Sequence, residues 1–102
     1  MELEHYKLII TIVNKGKGGK VVDISHHAGA TGGTIIFGRG TVVRLLLGIG
    51  IEPEKEIVLT LIEDSKAQTV LDAIIKEANL NEPNKGIAFI ISLDQVAGIC
   101  QG

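Results

Sequence analysis

The residues that could do chemistry with an anion lie in two glycine-rich stretches. The first, residues 15–20, has the sequence KGKGGK and follows an apolar run. It is not a Walker phosphate loop, because Val21 stands where that motif needs Ser or Thr. Its lysines and glycine amides could still bind an anion at the start of a helix. The simpler interpretation, a flexible turn between a strand and a helix, is the one that the pattern favours.

The second stretch is Gly38-Arg39-Gly40, directly after an apolar segment. Two glycines let backbone amides approach an anion closely while the guanidinium between them reaches it. The alternative is a bulge or the entry to a loop. A dinucleotide fingerprint is excluded, because Val43 occupies the place of its third glycine.

Catalytic groups are not assembled in any recognisable pattern. His26 and His27 are adjacent and would point about 100° apart on a helix. Asp23 could share a face with His27, which is most simply a solvated helix face with a local contact. A zinc site needs three or four converging ligands, and only Cys100 and His5 are left as remote additions. We therefore assign no catalytic residue and no metal ligand, and we do not expect an enzyme.

The composition limits the function further. The chain has 102 residues with a net charge of −2, which predicts one domain over residues 1–102 and no nucleic-acid partner. Only Tyr6, Phe37 and Phe89 are aromatic, so base-stacking platforms are missing. Neither a signal peptide nor a membrane-spanning apolar run is recognisable. These features predict a cytoplasmic protein.

Two similar units make up the chain. Residues 8–13 form an apolar, β-branched run typical of a strand, and the same pattern recurs at 57–62. The repeat continues into the following segments, with identical residues at equivalent positions: Thr11 and Thr60, Val21 and Val70, Asp23 and Asp72.

Each unit has the order strand, helix, strand. The second helix begins near Asp64 or Ser65, either of which can be its N-cap. The second strand of this unit follows at 86–91. The second strand of the first unit is Thr34 to Phe37. The order βαββαβ predicts an α+β, ferredoxin-like fold, a four-stranded antiparallel sheet with two helices on one face.

Nearly every strand position is apolar, which indicates burial on both faces of the sheet. Two helices can cover only one face, so we expect the other face to meet further subunits. Between the units, Glu52, Glu54 and Glu56 alternate around Pro53 and Lys55, a pattern typical of an exposed loop leading into a strand.

The segment 42–51 has the sequence VVRLLLGIGI and is almost wholly apolar. Exposed apolar patches usually mark interaction sites. We therefore expect a partner-binding loop here, with packing in an oligomer interface as the equal alternative. Its candidate contact residues are Arg44, Leu45, Leu46 and Leu47.

Together these stretches resemble the PII signalling family of nitrogen regulatory proteins. GGTIIFGRGT is similar to the second strand and the base of that family's T-loop, here about residues 39–53. IEPEKEIVLTLI resembles the strand to which this loop returns. NEPNKGIAFIISLDQVAGI resembles the B-loop, here about residues 80–86, with the last strand. The resemblance spans about residues 5–99.

The resemblance implies a homotrimer whose sheets meet around its centre. It also implies an adenine nucleotide, ATP, ADP or AMP, bound between subunits by the T-loop base and the neighbour's B-loop. The T-loop would then dock on a target, such as a membrane transporter or a metabolic enzyme, in nitrogen regulation. The residues that match these binding segments are Gly38, Arg39, Gly40, Lys85 and Gly86.

The chain also departs from the family pattern. Its T-loop is short and apolar and lacks the modifiable tyrosine, and Lys55 is off register with the loop lysine that pairs with 2-oxoglutarate. We therefore expect a divergent PII-like member. Two other functions stay open: a metal-binding trimer of the copper-tolerance type, and an interaction module without a small ligand.

Overall fold

The computed structural model describes residues 5–39 and 54–98. These residues form, in chain order, β1 (Tyr6–Asn14), α1 (Gly18–His27), β2 (Thr34–Arg39), β3 (Glu54–Glu63), α2 (Asp64–Glu77) and β4 (Gly86–Ser92). The strands pair as one antiparallel sheet in the order β2-β3-β1-β4. This arrangement is the predicted α+β, ferredoxin-like βαββαβ fold.

Both helices pack on the same face of the sheet. The core lies between the helices and the sheet, and it is aliphatic because the chain has few aromatic residues. It combines alternate residues of the strands with the apolar stripes of the helices. Its buried members are Ile9, Val13, Val21, Ile24, Ala30, Val58, Ile62, Ala67, Val70 and Ile74. Burial on this face is the main hydrophobic contribution to the stability of the single chain.

The internal repeat corresponds to equivalent positions in space. Thr11 of β1 is paired with Val58, and Thr60 of β3 is paired with Ile9, so the two threonines are diagonal neighbours on the helix face. Both are completely buried. The two copies of the repeat therefore place their central strands side by side.

Three boundaries differ from the sequence-based expectations. The helix α1 begins at Gly18, inside the segment 15–20 that we expected to be a turn. Strand β2 continues through Arg39 instead of ending at Phe37, because β3 offers backbone partners over that length. The N-cap of α2 is Glu63, whereas we expected Asp64 or Ser65.

The N-terminal turn of α2 is held by contacts with the start of β1. The Asp64 amide donates to the carbonyl of His5 at 2.7 Å, and the Asp64 carboxylate accepts from the Lys7 ammonium at 2.9 Å. Asp64 is thus the first helical residue, where a carboxylate also interacts favourably with the helix dipole. These tertiary contacts set the boundary, and a propensity argument could not include them.

Within residues 5–39 and 54–98, no helix packs on the second face of the sheet. It is lined by apolar side chains that are half-buried or exposed within one chain: Leu8, Ile10, Ile12, Ile36, Ile57, Leu59, Leu61, Ile87, Phe89 and Ile91. Ile87 keeps 56% of its surface exposed, and Phe89 keeps 40%. Both faces of the strands are apolar, but the described part of the chain covers only one of them. We call the uncovered side the open face.

None of the helices in the described ranges is long and apolar enough to cross a membrane.

Candidate functional site

The predicted binding residues in the described part of the chain lie at one end of the sheet. β1 and β2 finish at this end, whereas β3 and β4 begin there. Gly38 and Arg39 end β2, and Gly86 begins β4 directly after Lys85. Gly40 and the loop residues Arg44, Leu45, Leu46 and Leu47 lie outside the described residues.

Gly38 and Arg39 belong to a paired strand, not to the start of a loop. Gly38 is opposite Lys55, and Arg39 is opposite Glu54. The Glu54 carboxylate also accepts a 2.9 Å contact from the Lys15 ammonium. This hydrogen bond and the charge of Lys15, with a smaller contribution from Arg39, lower the pKa of Glu54 below its ordinary 4.5. Three charged side chains thus stand at the place where the chain leaves and re-enters the sheet.

The glycine-rich segment 15–20 does bind an anion, but the anion belongs to the same chain. One carboxylate oxygen of Glu56 accepts from the Gly16 amide at 2.9 Å, and the other accepts from the Gly18 amide at 2.7 Å. Glu56 is buried, so the expectation that it lies in an exposed loop is wrong. Its charge is stabilised by the amides at the start of α1. These two amides are therefore not available to an external phosphate.

Asn14 joins the start of β3 to the segment before β4. Its Oδ1 accepts from the Lys55 ammonium at 2.6 Å, and its Nδ2 donates to the Asn84 carbonyl at 2.9 Å. Lys55 is only 7% exposed although it carries an ammonium group. Sequence reasoning missed this connection, since its partners are far apart along the chain.

Gly86 has a structural reason to be glycine. Its φ is +136°, and a Cβ atom there would overlap the carbonyl oxygen of Ile12 and press on Val13. Gly38 has no such constraint, since an added Cβ would meet only the end of the Ile57 side chain, at 3.3 Å. Lys85 is exposed beside Gly86.

The two halves of the predicted nucleotide site stand at opposite edges of the sheet. Gly38 and Arg39 are on edge strand β2, whereas Lys85 and Gly86 are at edge strand β4. Three strand spacings of about 4.8 Å separate these edges, roughly 14 Å in all. Within one chain these residues are therefore not brought together as one compact site.

Positive charge is concentrated at the same end of the sheet. Of the nine Lys and Arg residues in the described ranges, seven lie there: Lys15, Lys17, Lys20, Arg39, Lys55, Lys76 and Lys85. Among the same described residues, four carboxylates share this end, namely Glu54, Glu56, Glu77 and Glu82. Two of these are already engaged by Lys15 and by the α1 amides. This end of an acidic protein is therefore suited to an anionic ligand.

The histidines are at the opposite end, where α1 finishes. The Nδ1 atom of His27 lies 2.8 Å from the backbone carbonyl of Asp23, and the His26 and His27 rings meet edge to face. The predicted pairing of Asp23 with His27 thus involves the backbone and not the carboxylate. Residues 5–39 and 54–98 contain no group of three or more His, Cys, Asp or Glu side chains placed to hold a metal ion.

Comparison with solved structures finds the same fold in PII-type proteins. A PII-like signalling protein from Thermus thermophilus has a TM-score of 0.68 and 22% identity, with 91% of this chain and 90% of that chain covered. PII from Arabidopsis thaliana, whose structure holds citrate, has a TM-score of 0.67 and 17% identity, with 88% and 78% covered. These identities establish similarity of fold alone.

The sequence comparisons identify a family for this chain but no curated relative. Among curated proteins none matches this chain. The family model for nitrogen regulatory protein P-II matches residues 6–102, which is nearly the whole sequence. The match includes both strands that frame the 40–53 segment and the segment that leads into β4. The chain therefore belongs to the nitrogen regulatory protein P-II family of signalling regulators.

Proposed function

We propose that this protein is a homotrimeric PII-type regulator that binds an adenine nucleotide between subunits. The observation that carries the proposal is the basic end of the sheet, where Arg39 and Lys85 stand at opposite edges. An edge of one subunit placed against the other edge of its neighbour would complete a site for phosphates. Arg39 would bind phosphate oxygens through its guanidinium, and the backbone at Gly38 and Gly40 would approach the nucleotide.

Lys85 and Gly86 would contribute the other side of this site. The Lys85 side chain is exposed and free to turn towards a phosphate, whereas the glycine at 86 shapes the backbone that presents it. ATP, ADP and AMP share the adenosine group and differ in phosphate charge. Basic groups at this end favour the more highly charged nucleotides.

The open face supports the trimer. It is an apolar surface with members on all four strands, and exposed patches of this kind usually form interfaces. Its central part is formed by Ile10, Leu59 and Phe89, which are cross-strand neighbours. Association of three such faces would bury them against one another.

The regulatory output would come from the 40–53 loop. Leucines 45–47, with Arg44, would contact a target protein, such as a membrane transporter or a metabolic enzyme, when the nucleotide state permits it. The family match supports a regulatory and not an enzymatic role. We place this activity in the cytoplasm and in nitrogen regulation.

Calorimetric titration with ATP, ADP and AMP tests the nucleotide site. The Arg39→Ala variant should bind at least about tenfold more weakly, because a charge-assisted phosphate contact is lost. Lys66→Ala is the matched control, since it removes an exposed cation at the other end of the molecule. Equal binding by Arg39→Ala and wild type would reject the assigned site. Absence of binding by the wild type at millimolar nucleotide would show that the ligand is not an adenine nucleotide.

A further inference from the structure

The Asn14 side chain is placed between two segments that are distant in sequence. One is the start of β3 at Lys55, which follows residues 40–53 in the sequence. The other is the connection of residues 78–85 between α2 and β4, at Asn84. The Lys55 ammonium can only donate, and the Asn84 carbonyl can only accept. A carboxamide supplies both the acceptor and the donor that these two partners require.

The connection before β4 has an unusual backbone. Asn84 has a φ of +67° and Gly86 a φ of +136°, so two of three consecutive residues are in the left-handed region. Such backbone is maintained only where surrounding contacts hold it. The hydrogen bond from Asn14 Nδ2 to the Asn84 carbonyl supplies such a contact directly before the strand begins.

Lys55 determines in turn where the Asn14 amide points. The 2.6 Å hydrogen bond orients Oδ1 towards the buried ammonium and leaves Nδ2 directed at Asn84. Register supports the same geometry, since Asn14 and Lys55 are directly paired across β1 and β3. Displacement of Lys55 would release the amide, and release of the amide would loosen the connection 78–85.

We infer that Asn14 is a positioning residue that couples the start of β3 to the connection 78–85. The start of β3 and the segment that presents Lys85 are thereby linked within one chain. A change at either segment is transmitted to the other through one side chain. This inference does not depend on which ligand the protein binds.

Hydrogen exchange followed by mass spectrometry, on the protein without added ligand, tests the coupling. Asn14→Asp keeps an acceptor for Lys55 but cannot donate to the Asn84 carbonyl in its ionised form. We expect exchange in 78–85 to rise about fivefold, an effect comparable to the loss of one hydrogen bond, with little change at the start of β3.

The decisive variant is Lys55→Met, because it changes no residue of the 78–85 connection. It should also accelerate exchange in 78–85, and the double variant Asn14→Ala with Lys55→Met should do no more than Asn14→Ala alone. Exchange in the middle of α2 serves as the control for folding and should stay as in the wild type. Unchanged exchange in 78–85 for Lys55→Met, or additive effects in the double variant, would overturn the coupling. If Lys55→Met unfolds, Lys55→Leu gives the same comparison, because leucine also lacks a donor for Asn14.

A separate measurement keeps the coupling distinct from the nucleotide proposal. With ATP, exchange in 78–85 should slow in both the wild type and Asn14→Asp, because Lys85 itself lies in the proposed nucleotide site. Failure of ATP to protect either segment would reject nucleotide binding, while the ligand-free comparison would still decide the role of Asn14.

Discussion

The Glu56 carboxylate occupies the space where a Cβ atom on Gly18 would have to be. The Gly18 amide donates to Oε1 at 2.7 Å, and an added Cβ would lie 2.5 Å from the same oxygen. Glycine at this position therefore lets a buried carboxylate reach the first turn of α1. The contact ties the first helix to β3 and explains why a helix begins at a residue that usually disfavours one.

Replacement of Gly18 by alanine should destabilise the protein by about 1–3 kcal/mol, because the Cβ would displace Glu56 from its amide partners. Gly19→Ala is the matched control, since the structure leaves open space there and alanine favours a helix. Urea denaturation at one fixed protein concentration measures both. Equal stability of the two variants would show that the Glu56 contact does not need glycine.

Gly86→Ala should cost about 2 kcal/mol or more, because its Cβ would meet the Ile12 carbonyl in a backbone conformation that alanine rarely adopts. Gly32→Ala, with open space around it, should change stability little. Thermal unfolding followed by circular dichroism compares them. If Gly86→Ala were as stable as the control, steric overlap would not explain the glycine at 86. Close approach of a ligand to the backbone would then be the better explanation.

Lys15→Met should raise the pKa of Glu54 towards its ordinary 4.5, because the hydrogen bond and the charge that lower it are both removed. Carbon-detected NMR titration of the Glu54 carboxyl measures this. A carboxyl whose folded-state pKa is lowered stabilises the fold above its unfolded pKa, and the contribution is lost as pH falls through the folded value. Any stability difference between wild type and variant should therefore be present at neutral pH and disappear in acid.

The control for this titration is Lys20→Met, which removes an exposed cation from the first turn of α1. It should leave the pKa of Glu54 close to that of the wild type. A Glu54 titration curve that is unchanged by Lys15→Met would show that the 2.9 Å ion pair does not persist in solution.

Phe89→Glu should dissociate the proposed trimer, because it would place a carboxylate in the open face beside Ile10. Sedimentation velocity gives the mass of the assembly for the variant and for wild type. Thr69→Glu on the exposed side of α2 is the control and should leave the assembly intact. A trimeric Phe89→Glu protein, or a monomeric wild type, would contradict an interface on this face.

Much of the fold could be predicted because it depends on local pattern. The apolar, β-branched runs at 8–13 and 57–62 became the two central strands, and the helical periodicity after Ser65 became α2. Boundaries were less predictable, since Arg39 stays in a strand only because β3 supplies its backbone partners. A local pattern does not contain that information.

The candidate site shows the same division. Arg39 and Lys85 were recognised from their glycine neighbours and from the family resemblance, whereas Glu56 and Asn14 were missed. Glu56 could have been suspected from the alternation that continues from Lys55 into the strand, which places it on the helix face. Asn14 gave no comparable signal, because an asparagine that ends a strand is usually explained by the following turn.

Sequence by itself determined the order of elements, the aliphatic core and the presence of a second apolar sheet face. These features follow from the composition and from periodicity among neighbouring residues. Tertiary structure alone decided which polar groups meet. Glu56 reaches amides 40 and 38 residues away, and Asn14 reaches a carbonyl 70 residues away. Such pairs depend on strand register and on the crossing of the chain, and a hydrogen bond of about 3 Å has no tolerance for error in either.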